Sequence, residues 1–340
     1  MRTICFHNKK DEFRKGENLK RILVTGATGF IGANLARWML ARGHEVHILV
    51  RNEHKTWRIQ NIIDDLHVWV ADLNDPEKTL NAVYQIQPDW IFHLATYGAY
   101  SSQIDLNQMV ETNLLCTANL INASLRTGFE VFINTGSSSE YGFKNHAPSE
   151  FEYLEPNSSY AITKAAATHY CSWVVQSNNV CITTLRLYSV YGPFEEPTRL
   201  IPSVVVEGLN GSLPPLASPS IARDFIFIDD VLNAYQLVAE NPSIVNGKVY
   251  NIGSGIQTTL REVIEHACRI LPVNIKPRWG FIPDRQWDTN VWMADHTRIS
   301  NDLNWQPTHL FGDGFKQTVD WFRTNEEMHG YYLRNRNLPG

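Results

Sequence analysis

The sequence predicts an α/β protein built on a doubly wound parallel sheet, with a smaller interleaved C-terminal α/β lobe. Short runs of Val, Ile and Leu alternate with longer amphipathic stretches from residue 21 to about residue 192. Strands this apolar are typical of parallel sheets covered by helices on both faces. Six prolines between residues 193 and 219 then interrupt the alternation, which indicates turns and short helices in that segment.

Each predicted element follows from its own pattern. Apolar runs of four to six residues predict strands at Arg21–Thr25, Glu45–Val50, Leu66–Val70, Trp90–Leu94, Val131–Thr135, Ile182–Leu187 and Lys248–Ile252. Apolar residues at helical spacing predict helices at Ile31–Arg42, Asn107–Arg126 and Tyr160–Gln176. A further strand–helix unit is expected at Asp224–Val238, and Thr259–Arg323 is expected to be mostly helical.

These elements divide the chain into three parts. Residues 1–20 are rich in charge and are expected to form a mobile arm. Residues 21–192 and 224–253 are expected to form a dinucleotide-binding domain of the Rossmann type, because they carry the strand–helix alternation. Residues 193–223 and 254–330 are left for the smaller lobe, which is expected to bind the substrate.

Composition excludes several classes of protein. The 340 residues carry a formal net charge of −5, with 43% hydrophobic and 19% charged residues, so neither nucleic acid nor a membrane is an expected partner. The five cysteines are scattered without metal-ligand spacing, which predicts free thiols in a reducing compartment and no metal site. No stretch is long and apolar enough to span a bilayer, and residues 1–20 lack the apolar core of a secretory signal, so we expect a cytoplasmic protein.

A glycine-rich turn follows the first strand. Gly26, Gly29 and Gly32 are spaced as G-x-x-G-x-x-G and open the first helix. Gly26 allows the tight turn, Gly29 allows close approach of a pyrophosphate, and Gly32 allows close helix–strand packing. The turn therefore predicts a bound nicotinamide dinucleotide, held at the helix N-terminus.

The end of the second strand indicates which dinucleotide. An acidic residue there would bind a ribose 2′-hydroxyl, but Arg51 follows the strand, with Lys55 and Arg58 nearby. An arginine in place of the acid favours NADP(H), while NAD(H) remains possible. Asp72 closes the third strand, where it could meet the adenine or cap the next helix.

A tyrosine and a lysine lie one helical turn apart. Tyr160 and Lys164 share a face of the predicted helix, and a nearby cation favours the phenolate of a tyrosine, which ordinarily titrates near ~10. Ser137 follows the fifth strand, at the carboxyl edge where ligands of parallel sheets bind. Its hydroxyl could bond a substrate oxygen while Tyr160 moves a proton.

With these motifs, the chain resembles the extended short-chain dehydrogenases/reductases, in the nucleotide-sugar epimerase/dehydratase/reductase group. The resemblance extends over roughly Arg21–Arg323 and includes the segments TGATGFIG, HLAT, GSSSEYG, YAITK, LRLYSVYGP, RDF and YNIG. It implies a catalytic set of Ser137, Tyr160 and Lys164, in which Lys164 holds the nicotinamide ribose and lowers the pKa of the tyrosine.

The resemblance also implies which residues contact ligands. Those expected to bind the cofactor are Gly26, Thr28, Gly29, Phe30, Ile31, Gly32, Arg51, Asp72, Leu73, Leu94, Ala95, Thr96, Tyr160 and Lys164. Those expected to bind the substrate are Tyr97, Ser138, Ser139, Ser189, Arg223 and Arg285, of which the two arginines match residues that grip a sugar-nucleotide diphosphate. Trp287, Trp292 and Trp305 could stack on a base, although core or rim positions are the simpler interpretation. Helices near Asn107–Arg126 and Tyr160–Gln176 resemble those that form a homodimer in relatives.

Departures from the family pattern favour one reaction. Where 4,6-dehydratases have acidic residues after the catalytic position, this chain has Ser138 and Ser139, and Glu140 comes one position too late. Ser189 stands where many relatives have Asn. The GSSSEYG run is similar to that of 4-keto-6-deoxyhexose reductases, and this resemblance implies a 4-ketoreductase acting on a nucleotide-linked 4-keto-6-deoxy sugar. A redox-neutral nucleotide-sugar 4-epimerase is the alternative, and a dehydratase or a non-catalytic cofactor sensor is less favoured.

Overall fold

A seven-stranded parallel sheet forms the centre of the computed structural model, which describes residues 19–100, 102–282 and 291–336. The strands are β1 (Arg21–Thr25), β2 (Glu45–Val50), β3 (His67–Val70), β4 (Trp90–His93), β5 (Val131–Ser137), β6 (Ile182–Leu187), β7 (Ser189–Tyr191), β8 (Ala222–Phe227), β9 (Val249–Ile252) and β10 (Gln257–Thr259). The sheet order is β3-β2-β1-β4-β5-β6-β9, and every neighbouring pair is parallel. The predicted doubly wound sheet is therefore confirmed.

Helices cover both faces of this sheet. The helices of the described chain are α1 (Phe30–Leu40), α2 (Pro76–Ile86), α3 (Leu106–Val110), α4 (Cys116–Thr127), α5 (Ser159–Asn178), α6 (Leu200–Leu209), α7 (Ile228–Glu240), α8 (Pro242–Val245), α9 (Leu260–Ile270), α10 (Thr297–Leu303), α11 (Phe311–Thr324) and α12 (Glu326–Asn335), of which α6, α9, α11 and α12 pack on one another and beside the smaller sheet. Helices α1 and α7 pack together on one face, while α2, α4 and α5 cover the other.

The two faces explain why the strands are apolar throughout. In β1, Ile22 and Val24 pack into the core beneath α1 and α7, whereas Leu23 packs into the core beneath α2 and α4. All three are fully buried, because successive strand residues point to opposite faces. Burial of each such side chain contributes roughly 1.5–3 kcal/mol, so both faces fix the position of the strand.

A second sheet, of three strands, forms one wall of a cavity at the edge of the central sheet. Strand β8 pairs parallel with β7 and antiparallel with β10. The sequence assigned Asp224 to the dinucleotide-binding part, but this residue lies in β8 of the smaller sheet. Helix α7 follows β8 directly and packs on β5 of the central sheet. The two parts therefore interleave within a few residues, and the three-part division of the chain stays a prediction.

The structure differs from the sequence-based elements in three places. The predicted helix 107–126 is three segments, since one π-helical turn at Glu111–Leu115 separates α3 from α4. Helix α2 was not predicted, although Asp75 caps it and Pro76 opens it. The short strands β7 and β10 were also not predicted, because three residues carry too little periodicity to indicate a strand.

The remaining bounds agree closely. Strands β1, β2 and β6 begin and end where predicted, and the other predicted strands of the central sheet differ by one or two residues. Among the described helices, none is long and apolar enough to cross a membrane. The four cysteines in the described ranges are free thiols.

Candidate functional site

A cavity of about 930 Å³ opens at the carboxyl edge of the central sheet. It lies where ligands of open parallel sheets bind, and β7 and β8 of the smaller sheet contribute to its other wall. The predicted site residues that line it are Gly26, Thr28, Gly29, Phe30, Ile31, Gly32, Arg51, Asp72, Leu73, Leu94, Ala95, Thr96, Tyr97, Ser137, Ser138, Ser139, Tyr160, Lys164, Ser189 and Arg223. Arg285 and Trp287 lie outside the described residues.

The glycine turn forms a cradle at one end of the cavity. Gly26 has φ +69°, which disfavours any residue with a side chain. A Cβ at Gly32 would lie 2.3 Å from the carbonyl oxygen of Gly26, so only glycine lets the helix approach the turn this closely. Helix α1 begins after Gly29 without a side-chain cap, which leaves backbone N–H groups free to bind phosphate oxygens. This cradle fits the diphosphate of a dinucleotide.

The end of the cavity beside Arg51 is mixed in charge. Arg51 follows β2 directly and is exposed, and Asp72 and Glu53 line the same region. Asp72 accepts a hydrogen bond from the Asn74 N–H at 2.9 Å and does not cap α2, since Asp75 does. The Arg58 guanidinium is not free to bind a ligand phosphate at this end, because it is buried and donates to the Phe194 carbonyl and to Glu196.

Tyr160 is positioned by the start of α5. Ser158 caps this helix through the Ala161 N–H at 3.2 Å, and Tyr160 is partly buried at the cavity wall. Burial raises the pKa of the Tyr160 phenol, and hydrogen bonds with Ser137 and Thr96 offset the increase only in part. Tyr160 is therefore protonated at neutral pH and able to donate a proton.

Lys164 is buried one turn further along α5. Its ammonium donates to the carbonyl oxygen of Thr135, and burial lowers its pKa to about 8. The charge that lowers the pKa of Tyr160 in the described residues is that of Arg199, and burial outweighs it. The lowering of this pKa by Lys164 stays a prediction. Burial and the charge of Lys164 also lower the pKa of His93 to about 3, so that imidazole is neutral.

Asn113 organises the wall behind Tyr160. The family resemblance includes the pair Thr112-Asn113, but no role was predicted for it. The Asn113 amide oxygen accepts from the Thr96 hydroxyl at 3.0 Å and from the Tyr97 N–H at 2.9 Å. Its amide nitrogen donates to the Tyr97 carbonyl at 2.8 Å and to the Thr163 hydroxyl at 3.0 Å. Asn113 lies in the π-helical turn, a local irregularity that is frequent at functional sites. It thereby fixes Thr96 against Tyr160.

Glu140 is a buried structural carboxylate. It is fully buried, accepts from the Ser137 N–H at 2.8 Å and pairs with Arg186 Nε at 2.8 Å. Arg186 in turn donates to the Tyr141 hydroxyl at 2.9 Å. Glu140 is not among the described residues that line the cavity, so its carboxylate holds the serine turn rather than facing a ligand.

Ser137 is held with its hydroxyl toward the cavity. Its Oγ accepts from the Ser139 N–H at 3.2 Å, which leaves its own hydrogen available for Tyr160 or for a ligand oxygen. Ser138 and Ser139 line the cavity beside it. No carboxylate follows Ser137 at the cavity surface in this part of the described chain.

The opposite wall carries Arg223 and Trp292. The Arg223 guanidinium lies 5.3 Å from the centre of the Trp292 ring, and both line the cavity with Ser189. The neighbouring Asp224 is buried and accepts from the Ala294 N–H at 2.8 Å, which fixes β8 at this point. Trp305 is 1% exposed and donates to a backbone carbonyl, so it is a core residue and does not stack on a ligand.

One cluster away from the cavity brings together potential metal ligands. The ligand atoms of Glu45, His47 and His67 lie within 4.8 Å of one another. Trp69 donates to His47 Nδ1 at 3.0 Å, so His47 Nε2 carries the proton and donates to Glu45 at 3.0 Å. Glu45 and His47 are therefore already hydrogen-bonded to each other.

Comparison with known proteins places this architecture in a family. Residues 22–253 match the NAD dependent epimerase/dehydratase family. The chain is 29% identical to the UDP-glucose 4-epimerase of Mycolicibacterium smegmatis, over 90% of this chain and 100% of the relative. It is 26% identical to the dTDP-glucose 4,6-dehydratase of Xanthomonas campestris pv. campestris, over 89% of this chain and 93% of the relative.

A solved structure shows the same similarity. The UDP-glucose 4-epimerase of Thermus thermophilus, in complex with NAD, superimposes with a TM-score of 0.79 at 28% identity, over 89% of this chain and 98% of that one. The family match covers more than half of the chain, and the fold and the order of the motifs agree with it. The chain therefore belongs to the NAD-dependent epimerase/dehydratase family, among the extended short-chain dehydrogenases/reductases.

Proposed function

We propose that this protein is an NADP(H)-dependent 4-ketoreductase of a nucleotide-linked 4-keto-6-deoxy sugar. The observation that carries the proposal is the Tyr160 phenol beside the Ser137 hydroxyl, with Ser138 and Ser139 instead of carboxylates following Ser137 at the described cavity surface. The reduced nicotinamide supplies the hydride when it is bound.

The protein's own residues supply the proton and the polarisation. Ser137 donates a hydrogen bond to the ketone oxygen, which stabilises the charge that develops there. Tyr160 donates its proton to that oxygen, a role that requires the protonated phenol favoured by burial. Lys164 and the glycine turn hold the cofactor, and Arg223 binds the diphosphate of the substrate as a forked donor.

The arrangement of carboxylates argues against dehydration. Elimination of water from the sugar needs an acid and a base beside the ring, but Ser138 and Ser139 occupy those positions and Glu140 is paired with Arg186. A 4-epimerase is the second candidate, supported by the epimerases among the relatives. It would use the same Ser137 and Tyr160 but would begin with oxidation of the sugar, so release of oxidised cofactor distinguishes the reductase from the epimerase.

Arg51 at the end of β2 supports NADP(H) as the cofactor, because its exposed guanidinium can bind a 2′-phosphate. Glu53 in the same region and the NAD bound to the Thermus relative support NAD(H) instead. The assay of activity must therefore compare both cofactors.

The proposal is tested by following the absorbance of NADPH or NADH during incubation with CDP-, dTDP-, UDP- and GDP-linked 4-keto-6-deoxy sugars. We expect stoichiometric consumption with one nucleotide, faster with NADPH than with NADH. No consumption across the panel, together with retained cofactor and interconversion of fully hydroxylated sugar nucleotides, would favour the epimerase.

We also propose that the chain forms a homodimer through α3, α4 and α5. Ile162 and Trp173 on α5 are 55% and 58% exposed, and Leu106 and Leu115 on the adjoining segment are about as exposed. Large apolar side chains on neighbouring helices are typical of interaction surfaces.

The dimer is tested by sedimentation of the Trp173→Arg variant. We expect wild type to sediment as a dimer, and the variant to dissociate with at least roughly 30-fold weaker affinity, because a buried tryptophan anchor contributes about 2 kcal/mol or more. Tyr84→Arg, at an exposed aromatic residue on α2, is the matched control and should remain dimeric. A monomeric wild type would refute the proposal.

A further inference from the structure

Glu195 is a buried carboxyl group in the wall of the cavity, and the function proposed above gives it no role. It is 6% exposed and lines the cavity. One oxygen, Oε1, lies 3.8 Å from Nε of Arg199. The other, Oε2, is buried and makes no hydrogen bond with any described residue. A buried polar atom without a partner destabilises the fold, so this oxygen needs an explanation.

The backbone holds Glu195 firmly in this position. Phe194, the preceding residue, has φ +68°, a conformation that costs energy for a residue with a side chain. Arg58 donates to the Phe194 carbonyl at 2.8 Å and binds Glu196 at 2.7 Å, and the Tyr332 hydroxyl donates to the Glu195 carbonyl. Such backbone strain persists only where several surrounding contacts hold the residue in place, and it is frequent at functional sites.

Glu195 lies on the catalytic side of the cavity. Its partner Arg199 is close enough to Tyr160 for the guanidinium to lower the pKa of that phenol. The Arg199 guanidinium also lies 6.0 Å from the ring centre of Tyr100, which lines the cavity. The carboxyl is thus on the same side as the group proposed to protonate the sugar, in a segment that also contacts α1, where Asn34 donates to the Pro193 carbonyl.

The chemistry of the carboxyl limits what it binds. Burial raises the pKa of Glu195 to about 8, against the opposing charges of Arg199 and Arg58. The group is therefore mostly neutral at pH 7, and a neutral carboxyl both donates and accepts hydrogen bonds. A sugar hydroxyl has the same two capacities and would satisfy the unpaired oxygen.

We propose that Glu195 is a positioning residue that hydrogen-bonds a hydroxyl group of the sugar ring, with Arg199 orienting its carboxyl. The inference rests on the proposed function, in that it takes the cavity to bind a nucleotide sugar. Glu195 then selects sugars that carry a hydroxyl at that position, because an analogue without it would leave the buried oxygen unpaired.

Calorimetric titration tests the contact with paired probes. UDP-glucose, dTDP-glucose, CDP-glucose and GDP-mannose, and the matching nucleoside diphosphates, are titrated into the protein saturated with NADP⁺. For the tightest sugar nucleotide, Glu195→Ala is expected to weaken binding about tenfold, the loss of one hydrogen bond in a buried site. Binding of the matching diphosphate should change less than about twofold, and Glu195→Gln should restore most of the affinity.

The matched control is Glu196→Ala, which loosens the same segment by removing the Arg58 partner but leaves the carboxyl of Glu195 in place. It should affect the sugar nucleotide and the diphosphate alike. Equal losses for both ligands in Glu195→Ala, no loss for either, or weaker NADP⁺ binding alone would each overturn the inference. A wild type that binds no sugar nucleotide more tightly than its diphosphate would overturn the proposed function itself.

Discussion

Tyr160→Phe is expected to lower kcat for ketone reduction by about 10²–10⁴-fold, the usual contribution of a positioned general acid. The substitution removes only the hydroxyl that lies with Ser137 and Thr96. Because the ring stays in place, affinity for NADPH and for the sugar nucleotide should change little. Steady-state kinetics and equilibrium titrations of the two ligands measure these quantities separately.

Tyr100→Phe is the matched control for this substitution. Tyr100 also lines the cavity, and burial raises the pKa of its phenol as well, but it lacks the contact with Ser137. Its kcat should stay within about tenfold of wild type. Full kcat in Tyr160→Phe would remove Tyr160 from the chemistry. Undiminished biological activity of the variant without ketone reduction would instead favour the non-catalytic, cofactor-sensing hypothesis.

Glu140→Ala is expected to destabilise the fold by about 3–5 kcal/mol. The substitution leaves the Arg186 guanidinium, which is 3% exposed, as an uncompensated buried charge. It also removes the acceptor of the Ser137 N–H, so the serine turn loses one of its hydrogen bonds. Urea unfolding of the variant and of wild type measures the difference in free energy.

Two further variants distinguish a structural role of Glu140 from a catalytic one. The double substitution Glu140→Leu with Arg186→Met should recover much of the lost stability, since apolar pairs often replace buried ion pairs without loss. Lys316→Ala, which breaks an exposed ion pair on α11, should have a much smaller effect. If Glu140→Ala were as stable as wild type, the structural role assigned to this carboxylate would be wrong.

The sequence predicted the central sheet and the cofactor end of the cavity well. Apolar strands bounded by turns fix β1, β2 and β6 by local pattern alone. The glycine spacing predicted the cradle because the backbone leaves no room for a side chain at Gly26 or at Gly32. Tyr160 and Lys164 were found for the same reason, since one helical turn brings them together.

The features that the sequence did not predict depend on contacts between segments that are far apart in the chain. The partner of Glu140 is Arg186, 46 positions away, and no local pattern indicates that pair. Asn113 binds Tyr97 and Thr163 across three elements, and the π turn that places it has nearly the same periodicity as an α-helix. Arg58 was expected near the 2′-phosphate, but its buried contact with Phe194 is set by tertiary packing.

The most direct test of the central claim is to locate the transferred hydrogen. NADPH carrying deuterium at nicotinamide C4, in each of its two stereochemical forms, is incubated with the 4-keto sugar nucleotide that supports NADPH consumption. The product is analysed by NMR. A 4-ketoreductase predicts one deuterium at C4 of the sugar from only one of the two labelled forms. A product without deuterium at C4, or a fully hydroxylated 4-epimer formed while the label stays on the cofactor, would contradict it.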